Sequence, residues 1–273
     1  MRDEDDDHLL TIARAGDRAA AAAFVERNAP AVGRLARAIV GDGAAADDVL
    51  QETFARAFRA LDTFDEARGG ARPWLFAIAR HAAFEQLHRR RERPVGDAAD
   101  VEPMMALGVA AGWGASPDRA LARAIQRDDL ARALASLAAH DREVIVLRDL
   151  EGLSGEEVAD QLSLDLRAMK SRLHRARLRL LAAVKGIEEG VVSQERNAGG
   201  MRCSEVLAVL GDYVDGELGP TDRVRVEQHV RECSVCERFG GRFSGVVHDV
   251  REKLGAPPAI DPAVLEAIRA RLA

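Results

Sequence analysis

The chain has 273 residues, 47% hydrophobic and 4% aromatic, with three cysteines and a formal net charge of −6. Its length allows two or three domains, its wealth of Ala, Leu, Arg and Glu favours helices, and no stretch approaches the ~20 apolar residues of a membrane span. An acidic start with no apolar run behind it predicts no signal peptide, and an odd cysteine count points to a reducing, cytoplasmic setting rather than a disulfide framework.

Residues 1–93 carry helical apolar periodicity. Ala45 to Phe64 places Val49, Leu50, Phe54, Phe58 and Leu61 on one side. Paired glycines make Asp65 to Ala71 a loop, and Arg72-Pro73-Trp74 opens the next helix with Pro near its first turn. That helix runs through Leu75, Ile78 and Phe84 to the cluster Arg89-Arg90-Arg91. Residues 94–117, with Pro and Gly at both ends and no sustained period, read as a linker.

Residues 118–187 form a second helical unit, with helices expected over Asp118–Ala138, Asp141–Leu150 and Ser154–Leu162 and a last one from near Asp165. Ser154 followed by Glu157 is a capping-box pattern. The turn at Ser163-Leu164 is short, and Val158, Leu162, Leu164, Met169 and Leu173 are spaced to pack together, which makes a helix-turn-helix. The last helix presents Arg167, Lys170, Ser171, Arg172, Arg175, Arg177 and Arg179, with Met169, Leu173, Ala176 and Leu180 recurring at helical spacing on the other side. Such a cationic face on the second helix suits the major groove of DNA, with residues near its N-terminus at base edges and the rest at phosphates. A solvated Arg-rich face near a helix C-terminus is the plainer reading of the same charges. The net charge of −6 leaves nucleic acid open, because a local patch sets the binding field.

Residues 188–200 are polar, glycine-bearing and read as a second linker. In the remaining residues, 201–273, His229, Cys233 and Cys236 form the run His-Val-Arg-Glu-Cys-Ser-Val-Cys, with Cys203 upstream. On a helix His229 and Cys233 leave one face, and Cys236 follows one turn later. Cys203 can close a tetrahedron from a preceding element. Thiolate and imidazole donors in this number suit Zn²⁺, and four protein ligands leave no open position for a catalytic water. The metal would therefore be structural or regulatory. Free cysteines also serve as small buried hydrophobes, but all three cysteines of the chain fall in this one cluster. A helical stretch to Leu254 follows, and Asp261-Pro262 caps a last helix.

Two resemblances rest on these residues. Asp48-Val-Leu-Gln51-Glu52-Thr-Phe-Ala-Arg-Ala, then Trp74-Leu-Phe-Ala-Ile-Ala-Arg and the Arg-rich helix end resemble region 2 of bacterial extracytoplasmic-function (ECF) sigma factors. Leu134 to Leu180, including Arg142-Glu-Val-Ile-Val-Leu-Arg148 and Met169-Lys-Ser-Arg-Leu-His-Arg-Ala-Arg177, is similar to their region 4. The resemblance implies that Asp48, Gln51 and Glu52 face core RNA polymerase. It places Trp74, His81, Arg89, Arg90 and Arg91 at the −10 element, and Arg167, Lys170, Ser171, Arg172 and Arg175 at the −35 element. His81 and Glu85 stand where the family often has Asn and Asp, and Ser163 where it usually has Gly. The tail, with Met201-Arg-Cys203-Ser-Glu-Val-Leu, Tyr213-Val-Asp-Gly-Glu-Leu and the His229/Cys233/Cys236 trio, resembles zinc-binding anti-sigma domains.

The expectation is thus an all-α protein of three modules: sigma region 2 over 1–93, region 4 over 118–187 and a zinc-binding anti-sigma domain over 201–273. It would be a promoter-specificity subunit whose partners are core RNA polymerase and promoter DNA. An intramolecular sigma–anti-sigma contact, or one in trans, would hold it in check, with redox release through the cysteines as one route to activity. No membrane partner is expected. No module shows a nucleophile–base pair or an open metal site, so no enzymatic activity is expected. The alternatives are a sigma factor with an activating or stabilising zinc tail, and a free-standing zinc-stabilised helix-turn-helix regulator.

Overall fold

The computed structural model describes residues 2–65, 69–90, 126–185, 196–257 and 259–271. The linker read at 94–117, and the first turns of the helix expected from Asp118, lie outside these residues. Among them, one two-stranded hairpin is the only departure from helix, turn and loop, so the all-α expectation stands. No described helix is long and apolar enough to cross a membrane. Two compact units cut across chain order: the first takes residues 1–96, 146–165 and 256–273, the second 97–145 and 166–255.

The first unit is built on α1 (Arg2–Arg14), α2 (Arg18–Val40), α3 (Gly43–Arg59) and α4 (Ala71–Arg90). Asp17 and Asp42 cap α2 and α3 by accepting backbone N–H groups of the first turn, and Gly41 ends α2 in the left-handed region at φ 76°. The α3 stripe is buried at Val49, Leu50 and Phe54, with Phe24 of α2 edge-on to both Phe54 and Phe58. The helix expected to run to Phe64 stops at Arg59 and tightens into a 3-10 turn at Leu61–Thr63, held by the Arg14 guanidinium on Leu61 O (2.6 Å) and Phe64 O (2.5 Å). Asp7 of α1 accepts the Ala71 N–H at 2.5 Å, so α4 is capped from a distant part of the sequence.

Later segments complete this unit. The helix expected over 141–150 ends as a π turn at Val146–Leu150, and α7 (Gly155–Gln161) follows with the Ser154/Glu157 capping box formed at both bonds. Glu151, its side chain fully buried, lies between Arg34 of α2 and Arg72 of α4, each at 2.6 Å. Gln161 of α7 donates to Pro73 O at 2.7 Å. The last helix, α12 (Pro262–Ala270), starts at an Asp261 cap with Pro at its first turn and packs on α2 and α3. Ile260, just before it, presses on Gly33, where an added Cβ would meet Ile260 Cδ1 at 2.8 Å, and Arg269 pairs with Glu26.

The second unit contains α5 (Arg127–Ser136), α6 (Ala139–Ile145) and α8 (Leu166–Lys185), then a hairpin of β1 (Asn197–Ala198) and β2 (Met201–Arg202). After these come α9 (Cys203–Asp215), α10 (Pro220–Glu232) and α11 (Ser234–Lys253). Met169, Leu173, Ala176 and Leu180 are the buried stripe of α8, as their spacing requires. Between α7 and α8 the chain turns at Ser163, which takes φ 53° without being Gly. The first strand and the turn of the hairpin occupy residues read as the end of the second linker, and its second strand opens the stretch read as the zinc-binding module. The helix expected from His229 through Cys236 is two helices, because Cys233 is extended (φ −121°, ψ 97°) and its carbonyl accepts the Glu237 N–H at 2.9 Å.

Candidate metal centre and nucleic-acid interface

Cys203 opens α9, His229 lies in the last turn of α10, Cys233 is the junction, and Cys236 stands in the first turn of α11. All four are buried, and their ligand atoms lie within 4.8 Å of one another. Cys203 Sγ is 3.6 Å from His229 Nε2 and 3.9 Å from Cys233 Sγ. A tetrahedron with zinc-ligand bonds of about 2.3 Å to sulfur and about 2.0 Å to nitrogen has edges of roughly 3.6–3.8 Å, which the two distances from Cys203 approach. His229 Nδ1 faces two backbone carbonyls, Ala198 O at 2.9 Å and Met201 O at 3.0 Å. That makes Nδ1 the protonated nitrogen and leaves the Nε2 lone pair for the cluster.

The thiols are electrostatically frustrated in a way a cation relieves. Burial pushes Cys236 up, and charge on Cys203 and Cys233 pushes it further; burial also raises Cys203. Burial opposes ionisation of Cys233 as well, but the N–H groups of Cys236 and Val235 outweigh it and hold this thiol at about 7. A purely hydrophobic cluster would not need an imidazole aimed at its sulfurs. The donor set fits a closed Zn²⁺ site.

The cationic residues of α8 separate into groups. Arg167 and Ser171 are exposed; Lys170, Arg172 and Arg175 are half-buried. Lys170 Nζ lies 3.1 Å from Asp212 and 2.8 Å from Glu217. Burial pulls its pKa down, but these carboxylates outweigh burial and raise it. Arg177 is buried and forms a two-pronged pair with Asp215 at 2.8 and 2.9 Å, while Arg251 of α11 reaches the same carboxylate at 2.6 Å. Arg179 pairs with Asp141 of α6. His174 is half-buried beside Phe243, its ring centroid 5.6 Å away, and its buried Nδ1 has no hydrogen-bond partner among the described residues.

On the first unit, Asp48 is exposed on α3, while Gln51 and Glu52 are half-buried. Arg56 lies 2.7 Å from Glu52 and 2.7 Å from Glu85 of α4, and holds both carboxyls below the usual carboxylate range. On α4, His81 and Arg89 are exposed with Glu85 on the same face, and Trp74 is half-buried against Phe64 at 5.3 Å. Arg91 and the side chain of Arg90 lie outside the described residues. Phe76 is core, and Phe84 is half-buried under the Arg80 guanidinium.

Sequence reasoning missed Asp212, Asp215 and Glu217 as partners of the α8 cations, and it missed Glu151. For Asp215 and Glu217 the sequence signal is Tyr213-Val-Asp-Gly-Glu-Leu, which carried a resemblance but no role.

The family profiles of Sigma-70 region 2 and Sigma-70 region 4 match residues 24–93 and 127–180. The RNA polymerase sigma factor CnrH of Cupriavidus metallidurans is 32% identical over 191 residues, 69% of this chain and 100% of that protein. The ECF RNA polymerase sigma factor SigL of Mycobacterium tuberculosis is 32% identical over 164 residues, 60% of this chain and 88% of its own length. The chain belongs to the ECF sigma factors. This sigma factor also matches a zinc-finger family profile over residues 203–236, the segment that begins and ends on Cys203 and Cys236. Among solved structures, that of CnrH in complex with the cytosolic domain of CnrY shares 30% identity and a TM-score of 0.46, over 65% of this chain and 96% of that one.

Proposed function

We propose that this sigma factor, which would direct RNA polymerase to promoter DNA, is held in check in cis by its zinc-finger domain. The observation that carries the reading is the capture of Lys170 and Arg177, cations of the helix assigned to the −35 element, by Asp212, Glu217 and Asp215. Carboxylates on these groups stand where DNA phosphates would stand, so tail and promoter compete for α8. In the first unit, α12 packs on α3, the helix that carries Asp48, Gln51 and Glu52, and this supports a second contact that competes with polymerase. Tethering raises the effective concentration of such a tail to about the millimolar range. The modules would be region 2 over 1–93, region 4 over 118–187 and the inhibitor over 201–273. Zn²⁺ held by Cys203, His229, Cys233 and Cys236 would staple α9, α10 and α11 into the shape that presents the three carboxylates.

The test is multi-round transcription with core polymerase from a cognate promoter, comparing full-length protein with residues 1–187. Far higher activity of the shorter chain is expected. Equal activity with zinc bound would instead favour a tail that stabilises or activates.

A further inference from the structure

The carbonyls on His229 come from outside the span matched by the zinc-finger family. Ala198 pairs with Met201 and Asn197 with Arg202, leaving Gly199-Gly200 as a two-residue turn. Both glycines have positive φ, 56° and 73°, the signature of a type I′ turn. The chain entering this hairpin is the one that arrives from the sigma regions. The hairpin is fastened to the metal site at several points besides Ala198 O and Met201 O. Arg196 O accepts the N–H of Cys203 at 3.0 Å. Gly199 N–H donates to Glu232, the residue before Cys233, at 3.2 Å. Arg225 of α10 donates to Gly200 O at 2.8 Å. The turn also lies flat on α10: a Cβ on Gly199 would meet His229 N at 2.8 Å and Arg225 O at 3.1 Å, whereas one on Gly200 would meet nothing within 4 Å.

We infer that the hairpin from Arg196 to Arg202 is the outer support of the metal site, and that metal occupancy and order of this hairpin are one event. Two carbonyls fix which imidazole nitrogen is protonated, so the ring presents Nε2 to the sulfurs without a tautomer or rotation cost on binding. Partners of this kind typically change metal affinity 10–100-fold. Linkage then works in both directions: what orders the hairpin tightens the metal, and the metal orders the hairpin. The residues just ahead of Met201 therefore belong to the zinc-finger module rather than to a passive linker. This inference rests on the metal reading of the four-residue cluster.

The experiment uses the full chain. Co²⁺ and Zn²⁺ affinities are measured by the cobalt absorption bands and by competition with a chromophoric chelator, for wild type, Gly199→Val, Gly200→Ala and Arg225→Ala. Gly199→Val is expected to bind about 10–100-fold more weakly. Arg225→Ala, a change at the surface that leaves the core intact, should lose affinity severalfold, and Gly200→Ala should lose less than Gly199→Val. In parallel, metal should protect the Arg196–Asn197 bond from trypsin in wild type and much less in Gly199→Val, with cleavage mapped by mass spectrometry. Should Gly199→Val fail to fold, Arg225→Ala decides: unchanged affinity overturns the inference. Equal cleavage at Arg196 with and without metal overturns it too, while failure of wild type to bind either ion defeats the metal reading beneath it.

Discussion

At His174, α8 carries an imidazole packed against Phe243 and close to Gly211, where an added Cβ would sit 3.4 Å from Nδ1. Burial first, and the positive charge of Arg177 next, pull its pKa down to about 4; Arg175 acts in the same direction and Asp212 of α9 opposes them. The unfolded chain, with an ordinary histidine near 6.5, binds more protons than the folded one between these two values. Stability therefore falls as pH drops from about 6.5 to 4, by up to about 1.4 kcal/mol per pH unit from this group. His174→Gln should flatten that part of the profile. Urea midpoints at pH 7, 6 and 5 for both proteins check this, and parallel profiles would remove His174 as the cause. The carboxylates that face α8 should also differ in weight. Asp212 and Glu217 are about one-third exposed, so removing either should cost under about 1 kcal/mol, whereas Asp215 is 5% exposed and holds two guanidiniums. Asp215→Ala leaves Arg177 buried without its carboxylate and should cost about 3–5 kcal/mol. Denaturation of the three single variants ranks them; equal costs would mean that burial of Asp215 is irrelevant.

Among the elements, those set by local chemistry were legible in the sequence. The Val49/Leu50/Phe54 stripe, the Ser154–Glu157 capping box and the Asp261-Pro262 start all formed as read, because each depends on residues within one or two turns. The gathering of the four candidate ligands was legible for a similar reason: three of them lie within eight residues of sequence, 229–236. What was not legible depends on distant partners. Glu151 is charged and lies beside a glycine, which reads as solvated loop, yet it is clamped by arginines 117 and 79 residues away. Gly199-Gly200 is a hairpin signal, but strands of only two residues leave no alternation to support it. The Glu151 clamp makes its own prediction about how α2, α4 and the turn before α7 hold together. Glu151→Ala takes the buried carboxylate from Arg34 and Arg72, which are 11% and 17% exposed, and should destabilise by about 3–5 kcal/mol. Replacing all three with apolar residues of similar volume should cost much less. Equal losses in the single and triple variants, measured by guanidinium denaturation, would show that shape rather than charge governs the site.

For the whole molecule, sigma regions and a zinc-finger segment share one chain, so under the proposed restraint metal chemistry would be coupled to transcription. Two small apolar clusters lie around the ligands, one of Met201, Val206 and Val226 and one of the cysteines with Val235, while Leu210, Phe243, Val246, Val247 and Val250 are buried besides them. Without the ion the cysteine cluster becomes three thiols, two of which burial pushes away from their charged forms. Zinc ligation in modules of this kind is worth on the order of 10 kcal/mol. Removing zinc with a chelator should therefore melt α9 to α11, free Lys170 and Arg177 of α8 and raise promoter-dependent transcription by full-length protein. An oxidant that joins Cys203 to Cys233, whose sulfurs lie 3.9 Å apart, should do the same: the two thiolates form one S–S bond and give up two electrons, and the O–O bond of peroxide breaks to yield two hydroxide ions. Residues 1–187 should respond to neither treatment. The measurement follows zinc release, helical circular dichroism and transcript yield on one sample. Zinc loss with full helix content, or melting without a gain in transcript, would separate the metal from the restraint and leave the ion a staple of the tail alone.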